Sequence, residues 1–148
     1  MLNFLPKFKN SKGITVIELL LVVSILMIIG TLSTAFYSRF LTQNSVDDTV
    51  NRLVGSFRKA QIYSMMGKQN NTWGVRYTAA TKTITLYLTS NSAFDENFTH
   101  NNNITVNGFT DILFARITGT TTASSITVNG GNNSKTITIN SAGVVSKQ

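Results

Sequence analysis

From Ile14 to Ser38 the chain reads ITVIELLLVVSILMIIGTLSTAFYS, 25 residues with a single charge, Glu18. A helix rising about 1.5 Å per residue over that stretch spans ~30 Å of hydrocarbon with length to spare. A small water-soluble domain has too little interior to bury such a helix on every side. The run therefore predicts a helix that lies in a membrane or among copies of itself. Glu18 then needs a reason to be there. A carboxylate in hydrocarbon costs roughly 2.5–3.5 kcal/mol on insertion scales, so a chain that keeps one there has a partner for it.

A short basic segment, MLNFLPKFKNSKG, precedes the run and carries Lys7, Lys9 and Lys12. Positive residues stay on the cytoplasmic side and orient the helix, which places the remainder of the chain outside. Two plain readings compete here. A secretory signal peptide also has a basic start and an apolar core, but this core is too long and no small-x-small site follows it cleanly. A single-pass anchor fits the length and gives Glu18 no purpose.

Lys12-Gly13 followed by Ile14-Thr15-Val16-Ile17-Glu18-Leu19-Leu20-Leu21 resembles the type IV prepilin signature: a basic leader, a Gly, an apolar run and a Glu at its fifth position. The resemblance implies cleavage by a prepilin peptidase between Gly13 and Ile14 and N-methylation of Ile14. It also implies a subunit-assembly role for Glu18, as partner of the Ile14 amine of a neighbouring subunit. Ile14 stands where that family more often has Phe, a mild departure. Pilins of the major type often carry a Pro near the middle of this segment. This chain has Ala35 in that neighbourhood, and its single Pro, Pro6, lies in the leader.

At 148 residues the chain has room for one domain plus a helix. It contains no cysteine, which excludes disulfides, thiolate catalysis and zinc-thiolate sites. The formal charge of +7 includes the three leader lysines, so the remainder is only mildly basic. That falls short of a nucleic-acid-binding stripe on composition.

Beyond Arg39, the residues Val46, Val50, Leu53, Val54, Phe57 and Ala60 recur at spacings of three and four. This predicts that the helix continues, one-sided, to about Met66, with Gly67 as its stop. The domain organisation expected is a leader over 1–13, a membrane and assembly helix over 14–38, an amphipathic continuation over 39–66, and a β-rich head over 67–148. Strands are predicted at Thr72–Thr78, Lys82–Thr89, Ile104–Val106, Ile112–Ile117, Ser125–Asn129, Lys135–Asn140 and Val144-Val145. Ser90 to Asn103 reads as a polar loop. Gly130-Gly131-Asn132-Asn133-Ser134 reads as a hairpin turn.

The C-terminal half is similar to the GspH/FimT-type pseudopilin and minor-pilin head. Its order of elements is matched by Phe57–Met66, Trp73-Gly74-Val75, ILFARITG from Ile112, SITVNGG from Ser125 and KTITINSAGVV from Lys135. The fold class expected is α+β: a long N-terminal helix, membrane-spanning in its first half, packed on a small antiparallel β-sheet head.

Chemistry for catalysis is not apparent, and no catalytic residue, metal site or cofactor is expected. His100 reads as a surface residue in an Asn-rich loop. Asp95-Glu96 reads as a solvated acidic pair, since calcium sites recruit more oxygen ligands. Asn70-Asn71-Thr72 and Asn97-Phe98-Thr99 match glycosylation sequons, as chance allows in so Asn- and Thr-rich a chain. Trp73, Phe109 and Phe114 read as core aromatics. Some proteins of the resembled family take part in DNA uptake through a basic element near the C-terminus. Here Gly143 matches that element and its arginines are missing, which leaves Arg116, Lys135 and Lys147 as weak phosphate contacts if they converge.

The expected function is a structural subunit, more in keeping with a minor than a major one, of a type IV pilus or a related secretion or competence pseudopilus. Its expected partners are the prepilin peptidase, other pilin or pseudopilin subunits, the assembly platform and the inner or cytoplasmic membrane. Its expected location is a single-pass membrane state with the head outside the cytoplasm, followed by an extracellular or periplasmic filament. A membrane-anchored adhesin or DNA-binding receptor head is the alternative.

Overall fold

The computed structural model describes residues 13–148, and side chains throughout that span except at 32–35. The leader expectation, Gly13 apart, lies outside the described residues. The chain divides into two compact units at Tyr37/Ser38, each described here by itself.

In the first unit the chain enters helix α1, Val16–Met65, whose 50 residues run on through the second unit. Gly30 does not interrupt it. Every described side chain of this unit is exposed, including the large apolar ones from Ile14 to Ile29. The hydroxyls of Ser24 and Thr31 bond to the backbone carbonyls of Leu20 and Ile28. This is the usual way for such groups to be satisfied inside an apolar helix.

The second unit is built around the one-sided half of α1. Val46, Val50, Leu53, Val54, Phe57 and Ala60 are all buried, as their spacing predicts. Ser64 continues the buried stripe, and its hydroxyl accepts the amide of Trp73 at 2.9 Å, which fixes where the first strand leaves the helix. Gly67 adopts φ +61 just past the end of α1, the left-handed conformation that ends helices and suits glycine.

Two antiparallel four-stranded sheets make up the rest. The first orders β3 (Glu96–Thr99), β2 (Thr83–Leu88), β1 (Trp73–Thr78) and β5 (Asp111–Phe114) side by side. The second orders β4 (Ile104–Asn107), β6 (Ser124–Gly130), β7 (Asn133–Ile139) and β8 (Val145–Lys147). Inward residues of both sheets join the helix stripe in one core, with Trp73, Phe57 and Phe114 its largest fully buried members. The β6–β7 hairpin closes on Gly131-Asn132, with Gly130 opposite Asn133 and Gly131 at φ +56. Gly130 itself meets α1: a Cβ there would lie 2.6 Å from side-chain atoms of Val46 and Ile104.

The fold class is α+β, with a long helix on antiparallel sheet. Two local expectations change. Ser90 to Asn103 is not all loop: Ser92–Phe94 forms a 3₁₀ turn and Glu96–Thr99 forms β3, paired with β2 from Thr83↔Thr99 to Leu86↔Glu96. Backbone pairing along an edge needs no apolar alternation, and Phe98, opposite Ile84, supplies the packing. The strand expected over Ile112–Ile117 ends at Phe114, because the chain turns there and Ile117 takes φ +72.

Candidate functional site

The start of α1 gathers the residues singled out by the sequence. Thr15 precedes the first helical residue, and its hydroxyl accepts the amide of Glu18 at 3.3 Å. In return the Glu18 carboxylate accepts the amide of Thr15 through Oε2 at 3.4 Å. This reciprocal arrangement is a capping box, which satisfies two of the amides left without partners at a helix start. It also sets a carboxylate at the positive end of the helix dipole. Thr15-x-x-Glu18 ahead of an apolar run is the sequence signal for this box. Glu18 Oε1 has no hydrogen bond among the described residues.

A groove of about 380 Å³ beside this turn is lined by Ile14, Glu18, Leu19, Val22 and Val23. Ile14 projects into solvent, 77% exposed. The local surface is therefore an apolar cleft with one carboxylate at its edge. Such a surface accepts an apolar side chain accompanied by a cation. Its first unit holds no cationic side chain among the described residues to neutralise Glu18.

The three basic residues proposed for phosphate contact are not brought together. Lys135 forms an ion pair with Asp47, and Lys147 donates to Asn51 Oδ1 at 2.8 Å, so these two flank the start of the helix stripe. Arg116 donates to the Asn70 carbonyl at 3.2 Å, beyond the other end of the helix. Asp47 and Ser64 are some 25 Å apart along α1 at about 1.5 Å per residue, which separates the pair from Arg116.

Other head residues serve packing. His100 is half-buried, stacked on Tyr77 with ring centroids 5.7 Å apart, and its Nε2 lies 3.1 Å from the Tyr77 hydroxyl. Trp73 and Phe114 are buried, and Phe109 packs edge-on against Phe57. Glu96 pairs with Lys59, and that hydrogen bond raises the Lys59 ammonium above its ordinary value. Tyr87 donates to both carboxylate oxygens of Asp111 at 2.7 Å. Burial, then the Asp111 hydrogen bond and charge, push its phenol up to about 12. No group of three or more His, Asp or Glu that might serve as a metal site occurs among the described residues.

No family model matches this chain, and no curated protein is similar to it in sequence. Its structure is similar to that of the minor pseudopilin EpsH from the Type 2 Secretion System of Vibrio cholerae. The TM-score is 0.55 at 9% identity, over 70% of this chain and 96% of that one. At that identity the similarity is one of fold. This chain has the pilin-like fold, a long N-terminal helix on antiparallel sheet, as found in that minor pseudopilin.

Proposed function

We propose that this protein is a structural subunit, of the minor type, in a type IV pilus or a related secretion or competence pseudopilus. It is inserted through 14–38, cut by a prepilin peptidase between Gly13 and Ile14, and methylated on the Ile14 amine. The observation that carries the reading is Glu18, the one charge from Ile14 to Ser38, lining a groove with Ile14 at the exposed apolar start of α1 on a pilin-like fold.

The mechanism follows from charge burial. In the membrane the capping box with Thr15 offsets part of the cost of holding Glu18 in hydrocarbon. On assembly the Ile14 amine of a neighbouring subunit meets the carboxylate. Each charge relieves the burial cost of the other, and removing one side of such a pair costs about 3–5 kcal/mol. The pair sets axial register, while Leu19–Ile29 supplies packing that tolerates substitution. The assembly platform and other pilin subunits are the partners this mechanism requires. The head stays outside the cytoplasm, because the leader lysines orient the helix. The residues weighed for DNA contact, Arg116, Lys135 and Lys147, do not converge.

The test is the intact mass and N-terminal sequence of the protein from its native host. A chain beginning at methylated Ile14 supports the proposal. A chain retaining Met1–Gly13 in membranes with an active prepilin peptidase contradicts it and leaves an anchored receptor head.

A further inference from the structure

The apolar run that begins at Ile14 ends at Arg39, the first charge after Glu18. Phe36, Tyr37 and Phe40 are exposed beside it in sequence. Aromatic rings and a cation at the end of an apolar helix are the groups that settle at a membrane–water boundary. There the arginine stem lies along apolar surface and the guanidinium reaches toward the headgroups.

Arg39 lines a groove of about 490 Å³ between α1 and the β6–β7 hairpin. Thr42 and Gln43 line it from the helix, and Gly131, Asn132 and Asn133 from the hairpin. The hairpin rests on the helix at this point. A Cβ on Gly131 would lie 3.5 Å from Thr42 Cγ2, and one on Gly130 would lie 3.3 Å from the same atom. Neither glycine puts a side chain into the space. The hairpin ladder closes at Gly130↔Asn133, which leaves the amides of Gly131 and Asn132 outside it.

The groove is polar, and the one charge that lines it is positive. Among the described residues no hydrogen bond or ion pair engages the Arg39 guanidinium. The next carboxylate along α1, Asp47, is held by Lys135 of the same hairpin. Thr42 gives its hydroxyl proton to the Ser38 carbonyl at 3.0 Å, whereas the side-chain amides of Gln43, Asn132 and Asn133 are free to donate. A guanidinium takes two oxygens of one phosphate at once, and neighbouring amides suit hydroxyls attached to it.

We propose that this groove holds the headgroup of an anionic phospholipid, with Arg39 on the phosphate and the amides of Gln43, Asn132 and Asn133 on headgroup hydroxyls. The inference rests on insertion through 14–38 and adds to it a fixed seat for the hairpin at the membrane surface. A headgroup ending in an ammonium finds neither carboxylate nor aromatic ring among the lining residues, which sets phosphatidylglycerol above phosphatidylcholine. Free phosphate shares the chemistry. The lipid is the better occupant, because its acyl chains continue along the exposed apolar side chains that precede Arg39 and cover surface that a free ion leaves bare.

The test uses the full-length chain in mixed vesicles of phosphatidylcholine and phosphatidylglycerol. One lipid at a time carries a diazirine beside its phosphate, and adducts are mapped by peptide mass spectrometry. Contacts made by the leader lysines map to 1–13 and are read apart. The expected result is phosphatidylglycerol on both 38–43 and 130–133, with several-fold less phosphatidylcholine there. Arg39→Gln should lower those adducts about fivefold, the scale of one arginine at an anionic surface, and Arg39→Lys should keep most of them. The thermal midpoint of the head should not move in either variant, which separates lost binding from lost folding. Alkaline extraction of the same vesicles tests insertion by itself. A chain washed off by alkali contradicts insertion through 14–38, and this site with it. An inserted chain whose adducts stop short of 130–133, show no preference for phosphatidylglycerol or ignore Arg39→Gln contradicts the headgroup site alone. Inorganic phosphate that removes the adducts, where sodium chloride of equal ionic strength does not, assigns the groove to a free anion and overturns the lipid.

Discussion

Residues 16–31 and 46–64 belong to one helix, yet they dispose of their apolar side chains in opposite ways. In the later segment Val46, Val50, Leu53, Phe57 and Ala60 form a stripe that is fully or nearly fully buried, and charged residues take the other face. In the earlier segment apolar side chains cover every side and all are exposed. The later half is satisfied within its own chain. The earlier half buries none of its described side chains within the chain, and under the proposed function a neighbouring subunit covers them, with Glu18 making the choice of partner specific. Regular backbone is common to both; what separates them is where the burial comes from.

Substitutions sharpen that contrast. The largest effect is expected from Phe57→Ala, which empties the centre of the core and should lower head stability by about 3–5 kcal/mol in denaturant unfolding. Leu20→Ala, equally large in the exposed half, should change it by less than about 0.5 kcal/mol. Next comes Gly130→Ala. Its methyl would press on Val46 and Ile104, and overpacking of this kind costs about 1–3 kcal/mol, read in the same experiment.

A pH titration separates the halves further. Tyr87 has its phenol raised from 10.0 to about 12, so the fold favours the protonated form. Its contribution to stability is complete below about pH 10 and is lost as pH rises through about 12. Tyr87→Phe should flatten the alkaline arm of a stability profile of the head. Some slope should remain, because Lys59, raised by Glu96, also loses its proton in the alkaline range. A local effect is expected from Thr15→Val. Loss of the cap should cost about 1 kcal/mol at the helix start, seen as faster amide exchange near Glu18 with an unchanged head midpoint.

Much of this architecture was legible because two periodicities are strong. The three-and-four spacing from Val46 to Ala60 defines the helix stripe, and alternation at Ile84, Leu86 and Leu88 defines β2. Glycines at 67 and 131 mark a helix end and a hairpin through backbone freedom, which sequence displays directly. The edge strand β3 was hidden because Glu96, Asn97 and Thr99 are polar, and an edge strand is held by backbone bonds that leave little trace in side chains. The left-handed turn at Ile117 was hidden for the opposite reason: ILFARI reads as a strand, and tertiary contacts with Ser64 override it. At the candidate site the roles of Gly13, Ile14 and Glu18 rest on their pattern in the sequence. The box joining Thr15 to Glu18 had a sequence signature, obscured by the attention a lone charge attracts. Convergence of Arg116, Lys135 and Lys147 was a question of tertiary distance, which spacing along the chain does not encode.

The most direct measurement compares Glu18→Ala with the unaltered chain in the native host for two quantities, the N-terminal sequence and the amount recovered in sheared filaments. The account expects cleavage after Gly13 to proceed, the head to unfold at the same midpoint, and the variant to be missing from filaments. A Glu18→Ala chain that enters filaments at the level of the unaltered protein would contradict it.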